Sequence, residues 1–454
     1  MKNMLPGNCP QLSELLFILV LCLVLPVCVL ASITTTGQVT NEDNTVQWDW
    51  NTNIPGTGSY ILVGYDSSGT LVMSGNSTAL NFYAVSVAGG DNTTGSFTMR
   101  DGASVIQPYY KNHYIYVASG IDSQATMTLK GNGTLLRLSD HIYVGLKDGS
   151  EGELIVEDGA VFEFSEQYIG HYAGSYGKVT VDGLGSQMLT WVNNKYLRVG
   201  YNGTGELIVS NGGYVRSDGD TVVGYVNGSR GTVLVAGAES LWSAPSSLII
   251  GRGAGEHPDP AKGVLILARG GKVEAGTVDI GTSVDQREGT LDFVIGKTGA
   301  GSVNCGLLET PSLDLIIAEL EMHVDPGVNL TVGTQYTLVD YATLGSGSSY
   351  RQFIDIAEGD IYTSPRGYHF RINYATDLGG GDLGITATVT ELPPCVVDGV
   401  DLFLLTSQWL NDDCDGTDWC DGADLDYNES VDMGDFAYIG LYWMSNCPVD
   451  WPWQ

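Results

Sequence analysis

The chain has 454 residues, enough for several domains, with 61 glycines and only 16% charged residues. This composition favours tightly turning β-structure over long helices. Its 20 Lys and Arg against 53 Asp and Glu give a formal net charge of −33, and such a surface repels the phosphates of nucleic acid. We therefore expect no nucleic-acid partner, whereas divalent cations, basic partners and neutral sugars remain compatible with the charge.

Residues 1–31 have the pattern of an export signal peptide. Lys2 precedes a long apolar run that ends in Val-Leu-Ala at Ala31, which fits a signal-peptidase site. We expect a mature chain that starts at Ser32 and a secreted, extracellular or cell-surface location. Two alternatives stay open: an uncleaved segment that anchors the chain in a membrane, and lipid attachment at Cys28.

One sequence unit recurs nine times between residues 60 and 293, at intervals of 24 (88 − 64) to 30 (118 − 88) residues. A period of this size indicates a solenoid. Each copy has a small residue, here named the anchor, directly after Val or Ile. The anchors are Gly64, Ala88, Ala118, Gly145, Gly170, Gly200, Gly224, Gly251 and Gly281. The residue three before the anchor is mostly apolar too, and this alternation predicts a first strand with one buried face.

A second strand follows each anchor, as in GELIVED at 152–158 and GELIVSN at 205–211. A Gly-rich turn then leads to a weaker third segment, such as AVFEF at 160–164. Parallel crossovers are overwhelmingly right-handed. For residues 60–296 we therefore expect a mainly β fold, a right-handed, three-stranded parallel β-solenoid (β-helix) of about nine turns, roughly 40 Å long at about 4.8 Å per turn.

The flanking segments are predicted to cap this stack. Residues 32–59 are rich in Thr and Asn, and a solenoid needs its open end covered, so an N-terminal cap is expected there. Residues 297–393 lose the period but keep strand patterning, which predicts a β-rich C-terminal capping module. The outward middle positions of the second strands hold a single carboxylate, Asp292, which argues against a cluster of acidic residues on that face.

The repeated VGxxGxGxLxVxxGG pattern, with VTVDGLGS at 179–186 and Trp191, resembles the β-strand repeats of autotransporter passengers and of large secreted planctomycete-type proteins. The resemblance covers about half of the chain. It implies a β-solenoid and export, because such families share a folding motif more than an activity.

Residues 394–447 form a separate predicted module, with a short tail at 448–454. The segment DLDYNESVDMGD at 424–435 has oxygen-bearing residues at the spacing of a Ca²⁺ loop. These residues are Asp424, Asp426, Asn428, Ser430 through its carbonyl, Asp432 and Asp435. An apolar helix follows directly, so we predict one Ca²⁺ site in front of a helix.

A shift of 34 residues (432 − 398) maps Asp398, Asp401 and Trp409 onto Asp432, Asp435 and Trp443, which indicates a duplication. The paired loop and helix resemble a type I dockerin, a module that binds calcium and docks onto cohesin modules. The resemblance implies a cohesin-like partner, contacted through Met433 and Gly434 and, in the other unit, Gly399 and Val400. The first loop lacks oxygen ligands and is expected to bind no Ca²⁺. Glu429 replaces the usual Gly at loop position six, which weakens the second site by about 1 kcal/mol.

Four cysteines cluster in this module: Cys395, Cys414, Cys420 and Cys447. An oxidising compartment would allow two disulfides among them, and their spacing leaves three pairings open. Cys305 is predicted to be a lone buried thiol.

Outward positions of the first strands, two and four residues before the anchor, are aromatic or charged in four consecutive copies. They are Tyr114 and Tyr116, His141 and Tyr143, Glu166 and Tyr168, and Tyr196 and Arg198. One interpretation is a platform on which the sugar rings of a polysaccharide or surface glycan stack. The other, which we favour, is a ladder of like residues that stabilises the sheet.

Catalytic chemistry has weak support in the sequence. Apolar inward columns leave no internal cavity, so a site must lie on the outer faces, loops or ends. Glu166 and Asp220 occupy one column two turns apart, near the upper limit for a glycosidase pair, and nothing else recommends them. We therefore predict a non-catalytic adhesin or scaffold. The alternatives are an extracellular polysaccharide-degrading enzyme, such as a β-helix lyase or glycoside hydrolase, and a dockerin-like module that packs on its own chain.

Overall fold

The structure is a computed structural model. It describes residues 32–40, 59–75, 82–106, 114–138, 140–192, 195–226, 228–253, 260–281, 288–299, 301–344, 352–379, 382–393, 399–410, 420, 423–425 and 430–442. The protein is mainly β, with 57% strand and 5% helix, and it contains a β-solenoid of about nine turns. The predicted β-solenoid is confirmed. The predicted signal peptide and tail lie outside the described residues.

The turns stack through three series of parallel strand pairings. The first series joins the first strands: β3 (Ser59–Val63), β5 (Phe82–Val87), β8 (Tyr114–Val117), β11 (His141–Val144), β14 (Glu166–Ile169), β17 (Leu197–Val199), β20 (Thr221–Val223) and the last residues of β22 (Leu241–Ile250), β24 (Lys272–Ile280) and β27 (Leu307–Leu315). Equivalent residues of successive repeats pair directly.

The second series joins the second strands: β4 (Gly69–Ser74), β6 (Thr94–Arg100), β9 (Gln124–Lys130), β12 (Glu151–Glu157), β15 (Tyr176–Asp182), β18 (Thr204–Ser210), β21 (Arg230–Ala236), β23 (Lys262–Ala268), β25 (Glu288–Lys297) and β28 (Ala318–Val324). The third series contains β7 (Ser104–Ile106), β10 (Leu135–Arg137), β13 (Val161–Phe164), β16 (Gln187–Thr190), β19 (Tyr214–Arg216), the first residues of β22, β24 and β27, and β29 (Gln335–Leu344).

Apolar side chains fill the interior of the stack. The Val or Ile before every anchor is 0% exposed, from Val63 to Ile280, and the inward second-strand positions from Leu71 to Phe293 are equally buried. Gln167 interrupts one apolar column; its side chain is fully buried, and its amide has no hydrogen-bond partner among the described residues. Otherwise β-branched and aliphatic residues alternate with outward residues, as the period of two predicts.

All nine anchors adopt positive φ, between 52° and 75°. A Cβ on Gly145 would lie 2.0 Å from the Tyr176 carbonyl oxygen, so a larger residue has no space there, and positive φ favours glycine as well. Ala88 and Ala118 hold the same conformation, with φ of 52° and 60°. The anchor is therefore the corner between the first and second strands.

Buried hydroxyls join adjacent turns at the corner after the second strand. The hydroxyl oxygen of Ser240 accepts the Gly212 N–H at 3.0 Å and donates to the Ala236 carbonyl at 2.7 Å. Ser186 accepts the Gly159 N–H of the preceding turn in the same way, at 3.0 Å. These bonds provide acceptors for backbone N–H groups at the corners, where the chain turns away from the paired strands.

Antiparallel strands lie at both ends of the stack. At the start, β1 (Ser32–Gly37) pairs with β4, and β2 (Val39–Thr40) pairs with β3. At the other end, β29 pairs with β32 (Asp382–Glu391), β32 with β31 (His369–Gly379), and β31 with β30 (Ile361–Thr363). The short β26 (Val303–Asn304) runs antiparallel to β25.

The expected end of the solenoid at residue 296 needs correction. β27 and β28 continue the parallel pairings in register with β24 and β25, so the second-strand series extends to Val324, and β29 pairs in parallel with β27 beyond it. The period is lost in the sequence because Ile316, at the anchor position after Leu315, lacks the positive φ that selects Gly elsewhere.

The helices described after the β-structure are α1 (Gly399–Ser407) and α2 (Met433–Tyr442). They begin 34 residues apart (433 − 399), the shift of the predicted duplication. Leu405 and Ile439, which this shift also relates, are both buried in one small apolar cluster with Val431. Cys420 is disulfide-bonded; the other three cysteines of the module lie outside the described residues.

Candidate functional site

Three tyrosines stack along the axis of the solenoid on the outer face of the first strands. Tyr116, Tyr143 and Tyr168 pair across β8, β11 and β14. Their ring centroids lie 5.5 Å and 5.2 Å apart with planes within 11° of parallel. Arg198 occupies the next position of the column, with its guanidinium carbon 5.8 Å from the Tyr168 ring centroid. The residues predicted to form a column do so.

The second outward column packs against the first. Tyr114 and His141 have ring centroids 5.5 Å apart, and His141 lies 6.0 Å from Tyr143. Arg198 lies beside Tyr196, with its guanidinium carbon 4.7 Å from the ring centroid. The predicted aromatic and cationic residues are therefore one continuous surface, here named the aromatic face.

A third column of this face, formed by the residue directly after the anchor, was not predicted from the sequence. His171, Tyr201 and Tyr225 stack with ring centroids 4.9 Å and 5.0 Å apart and planes 18° and 19° from parallel. Arg198 lies 4.2 Å from the Tyr225 centroid, and Arg252 lies 4.7 Å from it. A signal was present, since Val-Gly-Tyr occurs at both 199–201 and 223–225.

Stacking decides which parts of these rings another molecule can reach. Within the ladder, the Tyr143 ring is stacked between the rings of Tyr116 and Tyr168, so neither side of it is free to hold a sugar ring. More open rings flank the ladder: Tyr172 is 52% exposed and Tyr196 is 37% exposed. The geometry supports the stabilising ladder and leaves the ring edges and these two flanking rings as the parts that another molecule can reach.

Glu166 is the charged centre of the aromatic face. Its Oε2 lies 2.8 Å from His141 Nε2 and accepts the Tyr168 hydroxyl at 3.2 Å, while Lys195 Nζ donates to Oε1 at 2.8 Å. The hydrogen bond from His141, helped by Lys195 and opposed by burial, lowers the pKa of Glu166 to about 2. Glu166 is thus ionised at neutral pH.

The pKa values of the two histidines in the aromatic face, His141 and His171, are shifted in opposite directions. Burial by itself lowers the pKa of His141, but the hydrogen bond to Glu166 and the charges of Asp140 and Glu166 outweigh it, and the net shift is upward. Burial and the positive charge of Arg198 lower the pKa of His171 to about 4. His171 is therefore neutral at pH 7, and its ring packs as an aromatic.

Glu166 and Asp220 do not form a plausible general acid and base pair. A general acid needs a raised pKa, whereas three partners keep Glu166 ionised. Asp220 is exposed and accepts a hydrogen bond from Ser246 Oγ at 3.3 Å. Both carboxylates have structural partners.

Two shallow pockets lie on the outer surface. One, of about 310 Å³, is lined by Glu151, Glu153, Tyr176 and Lys178, and Lys178 forms an ion pair with Glu153 at 3.0 Å. The other, of about 360 Å³, is lined by acidic residues that include Glu274, Glu309 and Asp340. Both are open and lined by charged side chains, unlike the enclosed apolar pockets that bind most small ligands.

The described part of the predicted Ca²⁺ loop contains two buried carboxylates, Asp424 and Asp435. Asp435 accepts the Leu425 N–H at 2.5 Å and the Asp432 N–H at 2.7 Å, and Asp432 accepts the Gly434 N–H at 2.6 Å. Asp432 and Asp435 thus form a capping box for α2. The all-oxygen donor set fits Ca²⁺. Asp426 and Asn428 lie outside the described residues.

The predicted partner-contacting residues lie at equivalent helix starts. Gly399 and Val400 open α1, and Met433 and Gly434 open α2. Met433 is 64% exposed, as a residue that contacts a partner must be.

No family model, curated protein or solved structure matches the chain. Among the described residues, no helix is long and apolar enough to span a membrane.

Proposed function

We propose that the protein is an exported, non-catalytic adhesin or scaffold of the cell surface or extracellular matrix. In this proposal residues 60–324 are a right-handed, three-stranded β-solenoid that serves as a rigid support for its outer surface. The observation that carries the proposal is the filled apolar interior, which leaves only the exterior for recognition. The predicted export signal supports the location.

The aromatic face is the surface that such a scaffold would display. Its interlocking rings and Arg198 make it rigid, and rigid amphipathic aromatics bind with little loss of conformational entropy. Tyr172 and Tyr196 offer the exposed rings, and a polysaccharide or surface glycan is the proposed ligand class.

Binding and product release distinguish this function from the enzyme alternative. Full-length protein is incubated with a panel of polysaccharides, and both retention and soluble products are measured. We expect retention without reducing-sugar or unsaturated product. Tyr172→Ala and Tyr196→Ala should reduce retention at least tenfold, which corresponds to about 1.4 kcal/mol. Tyr65→Ala, which changes another exposed tyrosine several turns away, should not reduce it. Product release that Asp220→Asn abolishes would instead establish a glycosidase or lyase.

The C-terminal helices are proposed to be a dockerin-like module that binds one Ca²⁺ and a cohesin-like partner. Three observations support this proposal. The starts of α1 and α2 are separated by the same shift as the predicted duplication, and the same shift relates the buried residues Leu405 and Ile439. The carboxylates of Asp424 and Asp435 are buried in the loop. Ca²⁺, when bound, would be held by the loop oxygens and would fix the start of α2.

A calcium-dependent pull-down tests this module. Tagged full-length protein should capture a partner in Ca²⁺ and release it in chelator, and Met433→Asp should weaken capture without changing Ca²⁺ binding. The same capture in chelator would contradict the proposal. Packing of the module on its own chain is the remaining alternative, supported by Leu404, whose Cδ2 lies 3.9 Å from the place of a Cβ on Gly327.

A further inference from the structure

Three potential metal ligands meet on the outer face of the last two second strands. Asp292 of β25 pairs directly with Glu321 of β28, and His323 lies two residues further along the same face. On its other side Asp292 pairs with Ile266, an apolar residue that offers no hydrogen-bond donor from its side chain. This cluster goes beyond the proposed function, because neither the aromatic face nor the Ca²⁺ loop includes it.

The ligand atoms converge. One atom from each side chain lies within 4.8 Å of the other two, and His323 Nε2 is 3.5 Å from both Asp292 Oδ1 and Glu321 Oε2. The sequence did not reveal this group because Glu321 and His323 lie beyond the last recognised repeat. The continuation of the stack into β28 is what brings them beside Asp292.

Within the described part of the chain, the carboxylate of Asp292 is buried with few polar partners. The residue is only 8% exposed, and its Oδ1 is buried without a hydrogen-bond partner among the described residues. Among the described residues, neither Asp292 nor Glu321 forms an ion pair with a Lys or Arg, and the imidazole of His323 lies 3.5 Å from each carboxylate. A buried carboxylate without donors is strongly destabilising unless a cation compensates it.

We propose that Asp292, Glu321 and His323 bind one divalent transition-metal ion, for which Zn²⁺ is the probe. Imidazole and carboxylates together suit Zn²⁺ and related ions, whereas Ca²⁺ and Mg²⁺ prefer oxygen ligands alone. Water completes the coordination on the exposed side, where Glu321 lies. The ion links the last two turns of the second-strand series.

Protons compete with the ion at this site. The imidazole of His323 and the carboxylates of Asp292 and Glu321 can bind a metal ion only where they have lost their protons. Metal binding should therefore weaken as pH falls from 7.5 to 5.5.

Calorimetric titration of metal-free full-length protein with Zn²⁺ tests the site, with thermal unfolding measured in parallel. We expect one Zn²⁺ equivalent that raises the melting temperature and that Ca²⁺ does not displace. His323→Ala and Glu321→Gln should weaken this equivalent at least tenfold. Glu321 is exposed, so Glu321→Gln keeps the test valid if changes at the buried Asp292 prevent folding.

His369→Ala is the matched control, because His369 forms a similar but exposed pair with Glu391 at 3.1 Å. It should leave Zn²⁺ binding unchanged. Zn²⁺ binding that survives both His323→Ala and Glu321→Gln, or no Zn²⁺ binding at all, would overturn the proposal. Either result leaves the proposed scaffold function intact, since that function is measured by polysaccharide retention.

Discussion

Single residues at the corners determine whether each turn can close. The anchor must adopt positive φ while the backbone of the next turn passes close to it, as at Gly145. Glycine accepts both conditions, and alanine accepts only the first, at Ala88 and Ala118. The sequence identified the anchors as small residues, and the structure adds the reason for their size.

Gly145→Ala should destabilise the protein strongly. The new Cβ would meet the Tyr176 carbonyl oxygen at 2.0 Å, and the backbone cannot move without breaking strand pairs on both sides. We expect a loss of at least about 2 kcal/mol in urea unfolding. Ala118→Gly is the control, since relief of its strained φ and the added chain entropy nearly cancel, within about 1 kcal/mol. Equal midpoints for both variants would contradict this account of the corner.

Removal of a hydroxyl between turns should also be measurable. Ser240→Ala leaves the Gly212 N–H buried without its acceptor, which costs about 1–3 kcal/mol. Ser246→Ala removes an exposed hydroxyl that only donates to Asp220, and it should change stability by less than about 0.5 kcal/mol. A thermal melt of the two variants separates these values, and indistinguishable melts would show that the buried bond is unimportant.

Elements of the stack carry the aromatic face and its charges. The first-strand period predicted two of the three columns, because outward positions alternate with buried ones. The third column was missed because a Tyr or His after Gly, as in Gly170-His171, is typical of an ordinary turn. The Asp292 cluster was missed for a different reason: Ile316 removes the anchor signal before β28, so Glu321 and His323 had no register in the sequence.

The stability that Glu166 contributes should depend on pH in a defined direction. Its pKa is lowered from 4.5 to about 2, so its contribution is present above pH 4.5 and is lost as pH falls toward 2. We expect Glu166→Gln to destabilise the protein by roughly 2 kcal/mol at pH 6, with the difference vanishing near pH 2. His141, whose pKa is raised, acts in the opposite sense: its contribution is lost as pH rises through its folded pKa.

Glu157→Gln is the control for this pH series. Glu157 pairs with Lys130 at 2.9 Å on an exposed surface, where such pairs contribute about 0–1 kcal/mol. Denaturant unfolding at several pH values would reveal the difference. A Glu166→Gln deficit that does not change between pH 6 and pH 2 would contradict the assigned pKa.

At the scale of the whole molecule, the repeated alternation of buried and outward residues determines what the protein can do. One apolar core runs from Val39 to Val389, through the stack and into the antiparallel strands at its end. The sequence predicted this core for the repeats because every turn has the same alternation of apolar inward and polar outward residues. The sequence predicted the ends of the core less well. Strands such as β29 and β32 are far apart in the sequence, and no repeat period relates them.

The central claim is that the inward columns are dry, and thiol labelling of β18 tests it most directly. Val209 is 0% exposed, whereas its neighbour Ile208 points outward. Val209→Cys and Ile208→Cys are each treated with a thiol reagent under native conditions, and labelling at each position is followed by peptide mass spectrometry. We expect the thiol at position 209 to react about 1,000-fold more slowly than the one at 208, because it is reached only after local unfolding. Equal labelling rates would show that water enters the column, and the solenoid could then no longer be treated as a solid support with recognition confined to its surface.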